Sequence, residues 1–400
     1  MNKLTLGIAI GLVTFAIGIG VIQAGFAHSP TPVPLPEPPE QVPGQTNGKP
    51  MLEMVFVLDT TGSMGGLIEG AKQRIWGIVN EVMQSASHPA VRVGLVAYRD
   101  HGDEYVTKVL PLTNDLDQVY ATLMSYRAAG GGDTPEDVRR ALAEGVHKAG
   151  WSPRAQGIAQ IIFLVGDAPP HNDYQDEPDT VTTTAAAVKA GMIVNTIQCG
   201  NLPETQPAWQ MIAQRGEGQY FAIAQDGGVQ AIATPYDKEM AEKGAILGAT
   251  YVAYGGGSGA AGARYRAEAS EKQAAMESSV ATSAPAPAAA DRAVNKAVNS
   301  AAYAGDLLTS LENGSLKLDA VKDEDLPDDL RKLDSEARKK EIEKRLADRQ
   351  RLRAEILKLQ KQRDEFIAAE RKKQSGPQNG FDTAVAESLK KQLTSKGIKY

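Results

Sequence analysis

One cysteine, Cys199, stands in 400 residues. A single thiol excludes an internal disulfide and any multi-thiolate metal centre. No cysteine lies near the N-terminus either, which removes a lipid anchor there. Cys199 closes an apolar run and reads as a small buried hydrophobe rather than a reactive thiol. Strong charge of one sign is missing as well: 43 Lys and Arg face 49 Asp and Glu, for a formal net charge of -6. Without a strongly basic domain, nucleic acid is not an expected partner. Nor is there a nucleophile elbow, a His-Glu-x-x-His string or a paired acid and base. The glycines of 255–262 lack the Gly-Lys-Ser/Thr of a phosphate loop. No residue qualifies as catalytic, and the expectation is a protein that is not an enzyme.

What is present begins with a short basic start at Lys3 and an uncharged apolar or small stretch over 4–24. That length suits either a signal peptide, with Gly25, Phe26 and Ala27 around the cleavage point, or a retained membrane anchor. Both place the rest of the chain on the exported side, in the cell envelope or secreted. Seven prolines between Pro30 and Pro43 then make 28–50 an extended, stiff tether. From 51 to about 255, short apolar runs alternate with segments of helical period. Strands are expected over 52–58, 91–98, 105–110, 158–165, 192–198 and 219–224. Helices are expected from 67, from Pro135 behind a Thr134 or Asp133 cap, and over 180–190 and 207–215. This order predicts an α/β fold, a doubly wound and mostly parallel sheet.

A largely α-helical tail is expected to follow. Residues 256–325 are rich in Gly and Ala and read as helical pieces broken by a flexible stretch. Residues 326–375 are dense in charge and predict a long helix, with a candidate coiled-coil seam at Leu352, Ile356, Leu359 and Phe366. Arg349 and Arg363 interrupt that seam. Residues 376–400 hold Phe381, Val385, Leu389 and Leu393 at a spacing of four, on a short amphipathic helix of the kind that docks on its own protein.

Polar residues collect where the apolar strands end. The first strand runs into Asp59, Thr60, Thr61, Gly62 and Ser63, and the strand from Ile158 runs into Gly166 and Asp167. A glycine loop, Gly130-Gly131-Gly132-Asp133-Thr134, lies between them in sequence. Ligands of open α/β sheets bind beyond the carboxyl ends of the strands. Asp59, Thr61 and Ser63 alternate, so an extended turn can aim all three at one point. Their hydroxyl and carboxylate oxygens suit a hard cation of the Mg²⁺ type, with Mn²⁺ or Ca²⁺ as alternatives. The absence of sulfur and imidazole argues against zinc or copper. Two carboxylates and three neutral hydroxyls leave such an ion able to attract an external carboxylate.

Asp59-x-Thr61-x-Ser63, followed by Thr134 and Asp167, resembles the metal-ion-dependent adhesion site of von Willebrand factor A domains. Gly-Gly-Gly-Asp-Thr-Pro-Glu and Gly-Asp-Ala-Pro-Pro-His resemble the matching loops of exported and kinase-linked members. Residues 234–255 resemble uncharacterised bacterial ones. The resemblance covers about 52–255 and implies that Thr61 and Ser63 contact the metal directly. It implies contact from Thr134 in a high-affinity state, and from Asp59 and Asp167 directly or through water. Asp133 is expected to cap a helix. The acidic loops around His101 and His171 could bind a second cation or shape the rim of the site, but solvated loops are the expected outcome. The function implied is an exported module that grips another protein through a carboxylate. Two other readings remain open: a scaffold that self-associates through its tail, and a metal-assisted hydrolase.

Overall fold

Two apolar runs make the centre of the fold. β1 (Met51–Asp59) and β4 (Ile158–Gly166) bury nearly every side chain, as strands covered on both faces do. In the computed structural model, which describes residues 50–399 apart from 175, 227–231, 300–301 and 374–380, they pair in parallel with Val55 opposite Ile162. β2 (Ala90–Tyr98) and β3 (Thr107–Thr113) extend the sheet on one side, and β5 (Ile193–Cys199) and β6 (Glu217–Ile223) on the other. The order is β3-β2-β1-β4-β5-β6, parallel except for β3, which runs antiparallel at the edge. The segments 1–27 and 28–49, expected to be export signal or anchor and tether, lie outside the described residues. No described helix is long and apolar enough to cross a membrane.

The period-2 alternation of a strand divides the core in two. Leu52, Met54, Phe56 and Leu58 face α1 (Gly65–Met83) and α2 (Leu116–Ser125). Val55 and Val57 face the opposite layer, built from α3 (Val138–His147), α4 (Thr180–Ala190) and α5 (Thr205–Arg215). The expected doubly wound α/β sheet is therefore present.

Two local differences from the sequence reading stand out. α2 was not expected; Asp115 caps it, its carboxylate accepting from the amides of Asp117 and Gln118 at 3.1 Å. The helix expected at Pro135, capped by Thr134 or Asp133, starts instead at Val138. Its cap is Asp137, which accepts from the Arg140 amide at 3.0 Å. The cause is tertiary. Glu136 forms a parallel bridge with Pro170: its amide donates to Pro169 O at 3.0 Å and its carbonyl accepts from the His171 amide at 3.1 Å. Backbone committed to that bridge cannot also enter a helix.

α6 (Asp237–Gly248) precedes residue 256, and the tail beyond it is helical, as expected: α7 (Gly259–Ser283), α8 (Ala286–Val298), α9 (Leu307–Glu312), α10 (Asp328–Arg331), α11 (Ser335–Lys373) and α12 (Phe381–Ser395). It packs onto the sheet layers. Val385, Leu389 and Leu393 of α12 are fully buried in the core that holds Phe56 and Phe163. Gln392 of α12 and Asn195 of β5 exchange amide hydrogen bonds at 2.6 and 3.0 Å. Arg292 and Lys296 of α8 pair with Asp117 of α2, each at 2.8 Å. On α11, Leu352, Ile356 and Leu359 pack against α6 and α8 of the same chain. Arg349 and Arg363, which interrupt the heptad seam, are buried ion-pair residues: Arg349 meets Asp306, and Arg363 meets Asp237 and Asp291.

Candidate metal centre

Because β1 and β4 are parallel neighbours, their carboxyl ends bring Asp59 and Asp167 to one edge of the sheet. Past Asp59 the chain turns through a short 3-10 segment, Gly62–Met64, into α1. Asp59 Oδ1 accepts from the Thr61 amide at 2.9 Å and from Thr61 Oγ1 at 2.6 Å. Thr61 Oγ1 lies 3.4 Å from Ser63 Oγ. The alternation expected from Asp-x-Thr-x-Ser is thus present. Thr60 points the other way, its hydroxyl donating to Tyr98 O at 2.9 Å. Asp167 is anchored by its own carbonyl, which accepts from Thr205 Oγ1 at 2.7 Å. Its Oδ2 accepts from Gln225 Nε2 at 2.7 Å.

The glycine loop folds over this edge. Gly62 N donates to Gly130 O, and Ala129 N to Thr60 O, both at 3.2 Å. Gly131 has φ +81°, a region that suits glycine, and a Cβ there would stand 3.2 Å from Glu136 Oε1 and 3.4 Å from Thr61 Cβ. Gly166 also admits no side chain, since a Cβ would meet the Tyr98 hydroxyl and stand 3.0 Å from Asp59 Oδ2.

The electrostatics set this edge apart. Asp59 is wholly buried. Burial pushes its carboxyl up to about 7; the bonds from Thr61 oppose the shift and the Asp167 charge adds to it. Glu136 is pushed up to about 9, first by burial, then by Asp59, Asp100, Asp103 and Asp167. Asp59 Oδ2 and Glu136 Oε2 are buried oxygens without a hydrogen-bond partner. Among the described residues, no Lys, Arg or His forms an ion pair with Asp59, Glu136 or Asp167. Buried carboxylates with orphaned oxygens and no counter-charge are costly. A divalent cation would supply both the charge and the missing partner, and the all-oxygen donor set fits one of the Mg²⁺ type.

Asp59, Thr61, Ser63 and Asp167 are brought together. Thr134 is exposed on the glycine loop and makes no hydrogen bond to the other four. Asp133 does not cap a helix; its Oδ2 lies 3.7 Å from His171 Nε2. His171 itself is not solvated, being 7% exposed, whereas Asn172 and Asp173 beside it are exposed. The sequence reading missed Glu136 as a member of the acidic cluster. Its only sequence signal was an acid next to Pro135, which also describes an ordinary first helical turn. It missed Gln225 too, which approaches from the loop after β6.

Residues 53–235 match the family model of the von Willebrand factor A domain. Von Willebrand factor A domain-containing protein 7 of Mus musculus is 39% identical over 93 residues, 23% of this chain and 10% of the relative. An ariadne-like RING finger protein of Acanthamoeba polyphaga mimivirus is 25% identical over 122 residues, 30% of this chain and 11% of the relative. The chain thus spans about a tenth of the length of these curated relatives. Among solved structures, the conserved hypothetical protein BatB from Bacteroides thetaiotaomicron is similar at 18% identity and a TM-score of 0.33, covering 44% of this chain and 90% of that one. With its parallel sheet, its helices on both faces and the matched stretch 53–235, the chain carries a von Willebrand factor A domain.

Proposed function

We propose that this von Willebrand factor A domain, a protein-interaction module, works through a divalent ion. In this reading Asp59, Thr61, Ser63, Thr134 and Asp167 hold a Mg²⁺-type ion, and an open coordination position takes a carboxylate from a partner protein. The reading includes export, with the domain on the outer side of a membrane. The observation that carries it is the wholly buried Asp59, with Oδ1 tied to Thr61 and Oδ2 unpartnered at an edge without a counter-cation. The ion would supply positive charge. The chain's own residues orient it: Thr61 fixes the Asp59 carboxylate, Gly131 lets the loop approach, and Thr205 holds the Asp167 turn. Binding is favoured over catalysis because an open coordination position suits an external carboxylate, and the sequence holds no nucleophile elbow or His-Glu-x-x-His string. Assembly through the tail is the weaker alternative, since Ile356 and Leu359 are covered by helices of their own chain. Calorimetric titration of the full chain with Mg²⁺ tests the proposal. A saturable heat in the wild type and none in Asp59→Ala is expected; equal heats in both would sink it.

A further inference from the structure

Three loops meet beside the site just described, and their side chains form a different kind of donor set. Asp100 comes from the β2–β3 loop, Asp133 from the glycine loop and His171 from the β4–α4 loop. One ligand atom from each lies within 4.8 Å of the other two. His171 is 7% exposed and Asp100 5%. The His171 Nδ1 nitrogen shares a hydrogen bond with Asp173 Oδ1 at 2.8 Å. A proton on Nδ1 leaves the Nε2 lone pair directed into the cluster, the arrangement of a carboxylate–histidine–metal triad. Nε2 is buried and has no hydrogen-bond partner. It lies 3.4 Å from Asp100 Oδ2 and 3.7 Å from Asp133 Oδ2. These separations are long for hydrogen bonds. The shorter matches the edge of a coordination tetrahedron, about 3.4 Å for bonds of about 2.0–2.1 Å, and the longer, to the exposed Asp133, exceeds it slightly. Tyr174 Oη donates to both oxygens of Asp100 at 2.9 Å and so sets the carboxylate's orientation.

The opposite face of the Tyr174 ring supplies a contrast. His101 and His171 stack on the two faces, each at 4.1 Å between centroids. His101 also sits between two acids, Asp137 and Asp176. There Arg140 provides the cation, pairing with Asp176 at 2.5 Å and approaching Asp137 at 3.7 Å. Among the described residues, Asp100 and Asp133 form ion pairs with no Lys or Arg.

We propose that His171, Asp100 and Asp133 form a second cation site, suited to a transition-metal ion of the Zn²⁺ type. One imidazole nitrogen with two carboxylate oxygens selects such an ion over Mg²⁺. The site stands on residues separate from the five above, whether or not those bind an ion. An ion held here joins the glycine loop to both neighbouring loops through Asp133.

The test uses the full chain, stripped with EDTA and titrated with Co²⁺ as a spectroscopic probe, with bound metal counted after gel filtration. Asp59→Ala should retain one tightly bound Co²⁺ with visible d–d absorption. Asp133→Asn, an exposed position whose substitution leaves the fold intact, should lose that absorption when added to Asp59→Ala. His171→Gln should do the same, and Asp173→Asn should weaken the site about tenfold by loosening the imidazole. No retained Co²⁺ in Asp59→Ala, or the same absorption with and without Asp133→Asn, would overturn the proposal. Mg²⁺ heats in Asp133→Asn report on the first site separately.

Discussion

Two regions of this chain treat their buried carboxylates in opposite ways. Among the C-terminal helices and where they meet the sheet layers, the buried acids have cations: Asp117 has Arg292 and Lys296, Asp306 has Arg349, and Asp237 and Asp291 share Arg363. At the carboxyl edge of the sheet, Asp59 and Glu136 have no such partner and keep orphaned oxygens. In the first region the paired guanidinium and ammonium groups neutralise the buried charge, and the pairs act as locks between helices. In the second, burial raises the carboxyl pKa and stores repulsion that a bound cation can relieve. The same residue type is a structural element in one place and a candidate ligand in the other; the difference lies in what surrounds it.

Substitutions at the two regions should therefore differ in sign. The largest effect is expected from Asp306→Asn. It leaves Arg349, a wholly buried guanidinium, with Glu312 at 3.9 Å as its remaining carboxylate, and removing one member of a buried pair costs about 3–5 kcal/mol. Urea unfolding would read this; an unchanged midpoint would show that the lock is not there. Acid should act next, through Asp117. Burial works to raise its carboxyl, but Lys296 and Arg292 hold it well below the usual carboxylate range. An acid depressed in the folded state contributes stability above its unfolded pKa, and that contribution fades as pH falls through this value toward the folded one. Stability measured from pH 6 down to 3 should thus drop on the order of 1 kcal/mol more in the wild type than in Asp117→Asn; parallel curves would remove the assignment.

At the site the expected sign reverses. Asp59→Asn takes a buried, unpaired carboxylate out of the acidic cluster, so in EDTA it should stabilise the protein by about 1–2 kcal/mol. In excess Mg²⁺ the order should invert, because only the wild type gains from ion binding. Paired thermal melts in the two buffers decide it, and a loss of stability in EDTA would contradict the account of Asp59. The smallest change is expected from Gln225→Ala. The amide donates to Asp167 Oδ2 from an exposed position and competes with an ion for that oxygen. Its removal should tighten Mg²⁺ by no more than about fivefold, as befits an exposed polar contact, and calorimetry would show weaker binding if Gln225 instead helps to hold the ion.

Much of the A domain was legible as periodicity. β1, β4 and α4 fall where their apolar runs and helical spacing put them, and Asp59, Thr61, Ser63 and Asp167 meet because parallel strands carry their ends to one edge. α2 was not legible, as Leu116–Ser125 follows closely on a strand and its cap, Asp115, resembles any loop acid. The start of α3 was misplaced because Asp133, Thr134 and Asp137 are all competent caps. The bridge between Glu136 and Pro170 selects among them, and that bridge joins residues 34 positions apart in the sequence. Glu136 entered the acidic cluster for the same reason.

The sequence by itself determined the alternation of strand and helix, the two-sided burial of β1 and β4, and the order of the Asp-x-Thr-x-Ser, Thr134 and Asp167 elements, all properties of local spacing. Only the tertiary structure decided which charges have partners. Arg349 and Arg363 looked like breaks in a coiled-coil seam and are ion-pair locks; His171 looked like part of a solvated rim and is buried between acids from other loops. Whether a buried charge is neutralised depends on groups brought within a few ångströms by the fold, and spacing along the chain carries no record of that distance.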